Sequence, residues 1–503
     1  MKLQIIGMTL LAMGMFISQV HAEDVPDTGS PPSITTHHHG VFHDKHIRYA
    51  AEVATIHVSS GNKGPAADLV SIAYIAEGIK DQQVRPVMFV FNGGPISSSV
   101  YVHMLGLGPK RLELPADVNA DITSTKLVDN HDTPLDATDL VFFDPAGTGY
   151  SRTSPGTPQK AYFSVDADAD QLTQFIQAWL KAHGREQSPV FLFGESYGTL
   201  RAAAAAQKIT NLANTIHLDG IFLQGQALNI AEISQRHDNI ISYVVSLPTL
   251  AALGWYHGKV SHEGKTFEQH LDDARQFALT DYLPALFKGS HLDPSQRDQI
   301  AAKLEGLTGL PAAIFIANDL KVSKVKYRET LLKVQNEVLA ADDGRYMAVA
   351  TKENPHPNGV EKITHAAEQA FATYARDELH IRTGYQYRFE LNIDNFDDWD
   401  WGAKNPFGDW AYMTMLKDAM NRDPQLHVVI GQGYYDTLTT TGASEYAIAQ
   451  SGWPKDRVRI AYYNAGHMSY TVNACMQQMG NDLLALIAAS SNPKQDTGKT
   501  PSP

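Results

Sequence analysis

Ser196, Asp436 and His467 stand in three separate glycine-bearing loops, and together these residue types suggest acyl-transfer chemistry. Ser196 lies in Gly194-Glu195-Ser196-Tyr197-Gly198, between an apolar run of strand length (189–193) and an alanine-rich helical run (202–206). Gly-x-Ser-x-Gly at a strand-to-helix junction marks a turn too tight for a side chain at either flank, which lifts the serine hydroxyl clear of the sheet edge. A serine hydroxyl is a weak nucleophile until a base takes its proton. His467 follows the apolar run Val458–Tyr463 in Asn464-Ala465-Gly466-His467-Met468, and Asp436 follows the run 426–430 in Gly431-Gln432-Gly433-Tyr434-Tyr435-Asp436-Thr437. In this reading His467 accepts the Ser196 proton and later passes it to the leaving group, while Asp436 fixes the imidazole tautomer and stabilises the cation that forms. Asp397, Asp398 and Asp400 are competing acids, but they precede the last strands in a tryptophan-rich loop; His427 falls inside a strand pattern and reads as a packed core histidine. The oxyanion formed on attack needs two converging N–H groups. One is expected from Tyr197, after the nucleophile, and the other from Gly94 in Asn92-Gly93-Gly94-Pro95, where paired glycines let the backbone approach closely.

The elements that must carry these loops follow from the pattern. Runs at 47–58 and 68–79 read as paired strands, and 86–91, Asp139–Phe143, 218–223, 426–430 and Val458–Tyr463 as short buried ones. Residues 165–183 have helical spacing through Leu172, Phe175, Ile176, Trp179 and Leu180. Strands alternating with helices, each strand stopping at a glycine-rich loop, predict an α/β fold with a mostly parallel central sheet and flanking helices. The chain order serine, acid, histidine is that of the α/β-hydrolases. Between 231 and 396 strand patterns are scarce and segments such as 293–304 and 327–339 read as helices, the first with Asp293 as N-cap and Pro294 at the first helical position. This predicts a helical cap inserted between the two parts of the main domain, 37–230 and 397–489, with a disordered lead at 23–36 and a disordered tail at 490–503.

At 503 residues, 43% hydrophobic and 19% charged, the chain has globular composition, and its formal net charge of −14 without any basic run argues against a nucleic-acid partner. Lys2, the apolar stretch 5–20 and Val20-His21-Ala22 read as a signal peptide (1–22) that would leave Glu23 as the mature N-terminus, with no stable membrane anchor. Cys475 is the single cysteine, which rules out an intrachain disulfide and fits a bacterial periplasmic or secreted product; in an apolar helix it reads as a buried structural thiol. His37, His38, His39, His43 and His46 read as a solvated edge rather than a metal site, because no carboxylate or thiol pattern surrounds them.

Taken as blocks, the sequence resembles the serine carboxypeptidases. The blocks are Phe91-Asn92-Gly93-Gly94-Pro95 with Ser97-Ser98-Ser99; Leu107-Gly108-Pro109; Asp144-Pro145-Ala146-Gly147-Thr148-Gly149-Tyr150-Ser151; Gly194-Glu195-Ser196-Tyr197-Gly198; and Gly466-His467-Met468. Gly433-Tyr434-Tyr435-Asp436 is similar to the acid loop of bacterial members, and Leu247-Pro248-Thr249 with Trp255-Tyr256-His257-Gly258 to their cap. The resemblance implies an α/β-hydrolase fold, no metal or cofactor, and release of a C-terminal amino acid from peptides with a free C-terminus. It also implies that Asn92 and Glu195 bind the substrate's terminal carboxylate. A carboxylic acid shares a proton with a carboxylate whereas two carboxylates repel, so Glu195 is expected to be protonated in the complex and activity to favour mildly acidic conditions. Three positions depart from the family. Ile96 stands where glycine is usual, with a reshaped or narrowed site as the expectation; Gly106 stands where many eukaryotic members carry a second carboxyl group; and Asp436 is followed by Thr437-Leu438-Thr439-Thr440-Thr441 without the frequent proline. Two alternatives remain open: an esterase or acyltransferase on the same triad, and a catalytically silent binding protein of the same fold.

Overall fold

The computed structural model describes residues 27–61, 64–212, 216–355, 357–391, 398–403 and 408–491. The expected signal peptide (1–22), residues 23–26 of the lead, Asp397 and the tail from 492 lie outside these.

Apolar runs of five to eight residues become the centre of a ten-stranded sheet. Its strands are β1 (Ile34–Phe42), β2 (Lys45–Ser59), β3 (Ala66–Ala76), β4 (Val87–Phe91), β5 (Asp139–Phe143), β6 (Pro189–Glu195), β7 (His217–Gln224), β8 (His427–Gly433) and β9 (Val458–Tyr463). They lie in the order β1-β2-β3-β5-β4-β6-β7-β8-β9, with the two-residue strand Arg152–Thr153 paired to β3. The pairings β1–β2, β2–β3 and β3–β5 are antiparallel, and every pairing from β5 onward is parallel. β4 and β5 are buried at all positions, as strands covered on both faces must be, whereas β1 alternates between more and less exposed residues, as an edge strand with one wet face does. The mostly parallel sheet with flanking helices expected from the sequence is the architecture found.

Helix α1 (Val165–Ala182) starts where Ser164 Oγ accepts the Ala167 N–H, and it buries Leu172, Phe175, Ile176, Trp179 and Leu180. Helix α2 (Gly198–Asn211) packs against α1 and against α3 (Tyr412–Arg422). Ala202 to Ala206 are all buried, so small side chains bring α2 close to both neighbours and seat it under the serine loop. Helix α4 (Asn473–Ser491) closes the other face and buries Cys475.

Between β7 and β8 the helices Leu247–Tyr256, Phe267–Phe277, Pro294–Thr308 and Lys324–Thr330 surround a separate apolar cluster that includes Leu250, Leu253, Leu271, Leu304 and Tyr327. Asp293 caps its helix as expected, accepting from Ser295 N at 2.8 Å. The single helix expected over 327–339 is instead a helix to Thr330, a turn, and the strand Glu337–Leu339, which pairs with Met347–Val349. Asn336 takes a left-handed conformation (φ 59°) that ends the helical run, and Val338 prefers the extended state that follows.

Three other expectations need correction. From Asp27 to Thr36 the lead is ordered: Asp27 pairs with Arg152 at 2.5 Å and strand pairing begins at Ile34. His427 opens β8 half-exposed, its Nδ1 2.7 Å from the Gln425 carbonyl, so it is not a packed core residue. Ile96 is 5% exposed and belongs to the core cluster containing Phe91, Tyr197 and Leu200, so its side chain fills the interior instead of narrowing the site. The exposed His37 and His39 lie on β1, and His37 Nδ1 meets Glu77 at 2.6 Å; no group of three or more His, Cys, Asp or Glu among the described residues is arranged to hold a metal ion. Among the described residues no helix is long and apolar enough to cross a membrane.

Candidate active site

All the loops singled out in the sequence leave one edge of the sheet. The register pairs Phe91 with Gly194, Gln224 with both Glu195 and Gly431, and Gly433 with Tyr463, so β4, β6, β7, β8 and β9 end at neighbouring points. Ser196 sits at φ 56°, a left-handed conformation that costs a non-glycine residue energy and recurs at functional turns. The turn is closed by Ser196 N donating to Gln224 O (2.9 Å) and Thr199 N donating to Ser196 O (2.9 Å). Gly194 cannot carry a side chain, because a Cβ there would stand 2.5 Å from Gly198 O.

His467 reaches this turn across Gly225, whose φ of 55° and bare Cα leave room for the imidazole; a Cβ there would lie 2.6 Å from the ring. Nδ1–H donates to Asp436 Oδ2 at 2.7 Å, which fixes the tautomer, since a carboxylate only accepts. Nε2 is buried and has no hydrogen-bond partner among the described residues. Asp436 is fully buried and further holds Leu438 N (2.8 Å), Thr439 N (3.0 Å) and Thr439 Oγ1 (2.6 Å). The Thr437-to-Thr441 run that replaces the frequent proline therefore supplies donors that fasten the acid. Burial opposes a charge on His467, yet Asp436, with Glu195 and Asp342 adding to it, holds its pKa above the ordinary imidazole value. Asp400 is engaged elsewhere: its amide donates to Phe163 O and its carbonyl accepts from Val165 N.

Gly93 and Gly94 bring a second backbone segment against the serine turn. A Cβ on Gly93 would stand 2.6 Å from Tyr197 N, and Gly94 takes φ 106°, open only to glycine. Neither the Gly94 nor the Tyr197 amide has a protein acceptor among the described residues, so both are free to bind an oxyanion. The buried Arg201 holds the loop from below: Nη1 donates to Asn92 O (2.8 Å), Nη2 to Pro95 O (3.1 Å) and Nε to Asp168 Oδ2 (2.7 Å). Tyr197 Oη donates to the same Asp168 oxygen at 2.9 Å.

Glu195 is 5% exposed, and burial raises its pKa to about 7 against the pull of His467 and of its hydrogen bonds. Asn92 Nδ2 donates to Oε1 at 3.1 Å and Tyr470 Oη donates to Oε2. Asn92 Oδ1 accepts from Val102 N, which aims the amide nitrogen at Glu195. The structure thus brings Asn92, Gly94, Glu195, Ser196, Tyr197, Asp436 and His467 to one sheet edge. Sequence reasoning missed Tyr470, three residues beyond His467, and Gln224, whose Nε2 donates to His467 O (2.7 Å) while its carbonyl closes the serine turn. It also missed Asp342 and Asp343, whose acceptors take the amides of His467 (2.7 Å) and Gly466 (2.8 Å). A polar residue at the end of a buried strand was a usable signal for Gln224; nothing marked the others.

The family model of the serine carboxypeptidases matches residues 74–488. Among solved structures the chain is similar to Kex1Δp, a prohormone-processing carboxypeptidase from Saccharomyces cerevisiae (TM-score 0.53, 14% identity, 88% of this chain and 91% of that one). It is also similar to a proline iminopeptidase from Mycobacterium smegmatis (TM-score 0.36, 14% identity, 87% and 100%) and to an esterase from Thermogutta terrifontis (TM-score 0.32, 12% identity, 86% and 99%). No curated protein is significantly similar in sequence. The likeness to Kex1Δp gives the α/β-hydrolase fold, and the family match spans well over half of the chain: it belongs to the serine carboxypeptidase family of hydrolases.

Proposed function

We propose that this chain is an exported serine carboxypeptidase that removes C-terminal amino acids from peptides through Ser196, His467 and Asp436. Ser196 Oγ attacks the scissile carbonyl carbon as His467 Nε2 takes its proton, and the Gly94 and Tyr197 amides receive the developing oxyanion. Collapse of the tetrahedral intermediate breaks the C–N bond; His467 returns the proton to the leaving nitrogen, and the acyl group stays on Ser196. Water then attacks the acyl-enzyme, losing a proton to His467, which hands it back to Ser196 as the acid product leaves. Asp436 keeps Nδ1 protonated throughout and offsets the imidazolium charge.

The observation that carries the carboxypeptidase reading is Glu195, buried beside the nucleophile and hydrogen-bonded to Asn92. A group that titrates near neutrality can offer a proton to an incoming carboxylate, which an ordinary glutamate at neutral pH cannot. An amidated or esterified C-terminus gains nothing from it. Export rests on Lys2, the apolar stretch 5–20 and Val20-His21-Ala22, with a periplasmic or secreted destination. The test compares a blocked dipeptide bearing a free C-terminus with its amide twin and a simple ester. Preference for the free acid is expected, and equal cleavage of the amide refutes carboxylate recognition. A fluorophosphonate should label Ser196, and absence of labelling refutes the triad.

A further inference from the structure

Gly106 carries no side chain, and the space beside it is filled from another part of the chain. A Cβ on Gly106 would stand 2.8 Å from Tyr470 Cγ and 3.0 Å from its Cδ2, so a side chain at 106 and the Tyr470 ring exclude one another. The ring is fully buried and its hydroxyl donates to Glu195 Oε2, on the far side of the carboxyl from Asn92 Nδ2. Tyr470 is placed by the loop that carries His467: Ser469 Oγ donates to Gly466 O (2.7 Å), Gln224 Nε2 donates to Ser469 Oγ (3.0 Å), and Thr471 Oγ1 donates to Met468 O (2.8 Å).

We propose that Tyr470 completes the clamp for the substrate's C-terminal carboxylate, as a positioning residue that acts through Glu195. The inference rests on the carboxypeptidase reading above and specifies how this chain builds that clamp. A carboxyl group in its place would trade a proton with Glu195 and, once ionised, repel both it and the substrate. A phenol does neither. Burial and the neighbouring Glu195 hold the Tyr470 hydroxyl well above its ordinary range of ionisation, so it stays a donor. The groups facing Glu195 are then His467 and Asp342 on the triad side and Tyr470 on the other, with Tyr101 facing Tyr470 in turn. Among them the Tyr470 hydroxyl favours the Glu195 anion and opposes the effect of burial. Removing that hydroxyl must raise the proton affinity of Glu195. If the free-acid substrate requires Glu195 protonated, activity falls as pH rises through the Glu195 pKa, and loss of the hydroxyl moves that falling limb to higher pH.

The experiment is Tyr470→Phe in the full chain, which keeps the ring over Gly106, with kcat and KM followed across about pH 5–9 on a blocked free-acid dipeptide and on the matching ester. The expected result is a falling limb displaced upward by about half a unit or more and, at the acid end of the range where Glu195 is protonated in both proteins, a KM for the free acid raised about tenfold, with kcat little changed. Ester turnover, which reports the triad and the fold in the same preparation, should stay within about twofold. Where Tyr470→Phe does not fold, Gly106→Ala crowds the ring away from Glu195 and should give the same displacement. An unmoved limb with an unmoved KM overturns the proposal, and so does an equal loss on the ester, which would make Tyr470 a brace for the His467 loop. Failure of the wild type to distinguish free acid from amide overturns the carboxypeptidase reading itself. Discrimination in the wild type that survives unaltered in the variant overturns only the role of Tyr470.

Discussion

Replacing Arg201 by methionine should cost both stability and turnover, and the structure says how much of each. The guanidinium is fully buried and its partner Asp168 is 1% exposed, so the pair is screened by nothing but protein. Removing one member of a buried ion pair costs about 3–5 kcal/mol, because the other charge stays behind. Asp168 would keep only Tyr197 Oη and Gln171 Nε2, and burial already raises its pKa. The carbonyls of Asn92 and Pro95 lose their donors as well, each a loss of about 1–3 kcal/mol if no water enters, which puts the total at the upper end of that range or beyond. A loss of that size takes up much of a typical margin of about 5–15 kcal/mol, so a sharply lower denaturation midpoint is expected. Turnover falls for a separate reason. The loop that carries Gly94 is anchored by those two carbonyls, and a displaced oxyanion donor costs about 100-fold to 1,000-fold in kcat with little change in KM, since the oxyanion exists only in the transition state. Urea unfolding and steady-state kinetics on ester and free-acid substrates measure the two effects. The double variant Arg201→Met/Asp168→Asn separates them: with no buried charge left it should regain much of the stability, yet kcat should remain low because the carbonyls still lack donors. An unchanged kcat in the single variant, or a restored kcat in the double, would refute the claim that Arg201 holds the oxyanion loop.

Two more changes probe the residues on either side of the nucleophile. In Glu195→Gln the falling limb for free-acid substrates near neutral pH should vanish, because the group that titrates there is gone. Since Glu195 also raises the His467 pKa, the rising limb on an ester substrate should move to lower pH; profiles that superimpose on the wild type would count against both roles. The same substitution should stabilise the fold at alkaline pH: a buried acid whose pKa is raised to about 7 loses stability as pH rises from its unfolded value through 7, by an amount on the order of 3 kcal/mol, and the glutamine variant escapes that loss. Ile96→Gly should lower the free energy of unfolding by about 3–5 kcal/mol, as truncation of a buried branched side chain does, without raising turnover. A faster enzyme of unchanged stability would mean that Ile96 faces the substrate after all.

How much of this was legible in the sequence depends on how far apart the causes lie along the chain. The strands were readable because burial on both faces writes itself locally, as in Val87–Phe91 and Asp139–Phe143. The serine, acid and histidine loops were readable for the same reason: each follows such a run and carries its own glycines. Ile96 was misread because sequence gives a residue's place on the loop but not the face it turns to; Leu391 N donates to its carbonyl at 2.9 Å, and the side chain goes down into the core. Tyr470 and Gly106 lie 364 positions apart and make sense only as a pair, the ring occupying the volume that the missing side chain leaves. A deletion at one end of such a pair is visible in the sequence, but its filling is not.

The bracing of the proposed triad shows why position after a strand was a good guide to the loops and a poor guide to what orients them. Strand ends bring Asp436 and His467 to the same edge, but the hydrogen bonds that fix their loops come from the segment between β7 and β8. His467 N donates to Asp342 O, Gly466 N to Asp343 Oδ2, and Arg345 Nη1 to Asn464 O (3.0 Å) on the histidine side. On the acid side Lys324 Nζ donates to Leu438 O (2.9 Å), Arg328 Nη1 to Thr437 Oγ1 (2.9 Å), and Thr437 Oγ1 to Ala341 O (2.7 Å). Lys324 is buried so thoroughly that its pKa falls to about 8, a cost the fold bears where the acid loop needs a donor. A segment acting as a detachable lid would touch these loops through water or through mobile side chains. Here its backbone carbonyls and buried cations are the loops' own partners, so the alignment of Asp436 with His467 depends on its being in place.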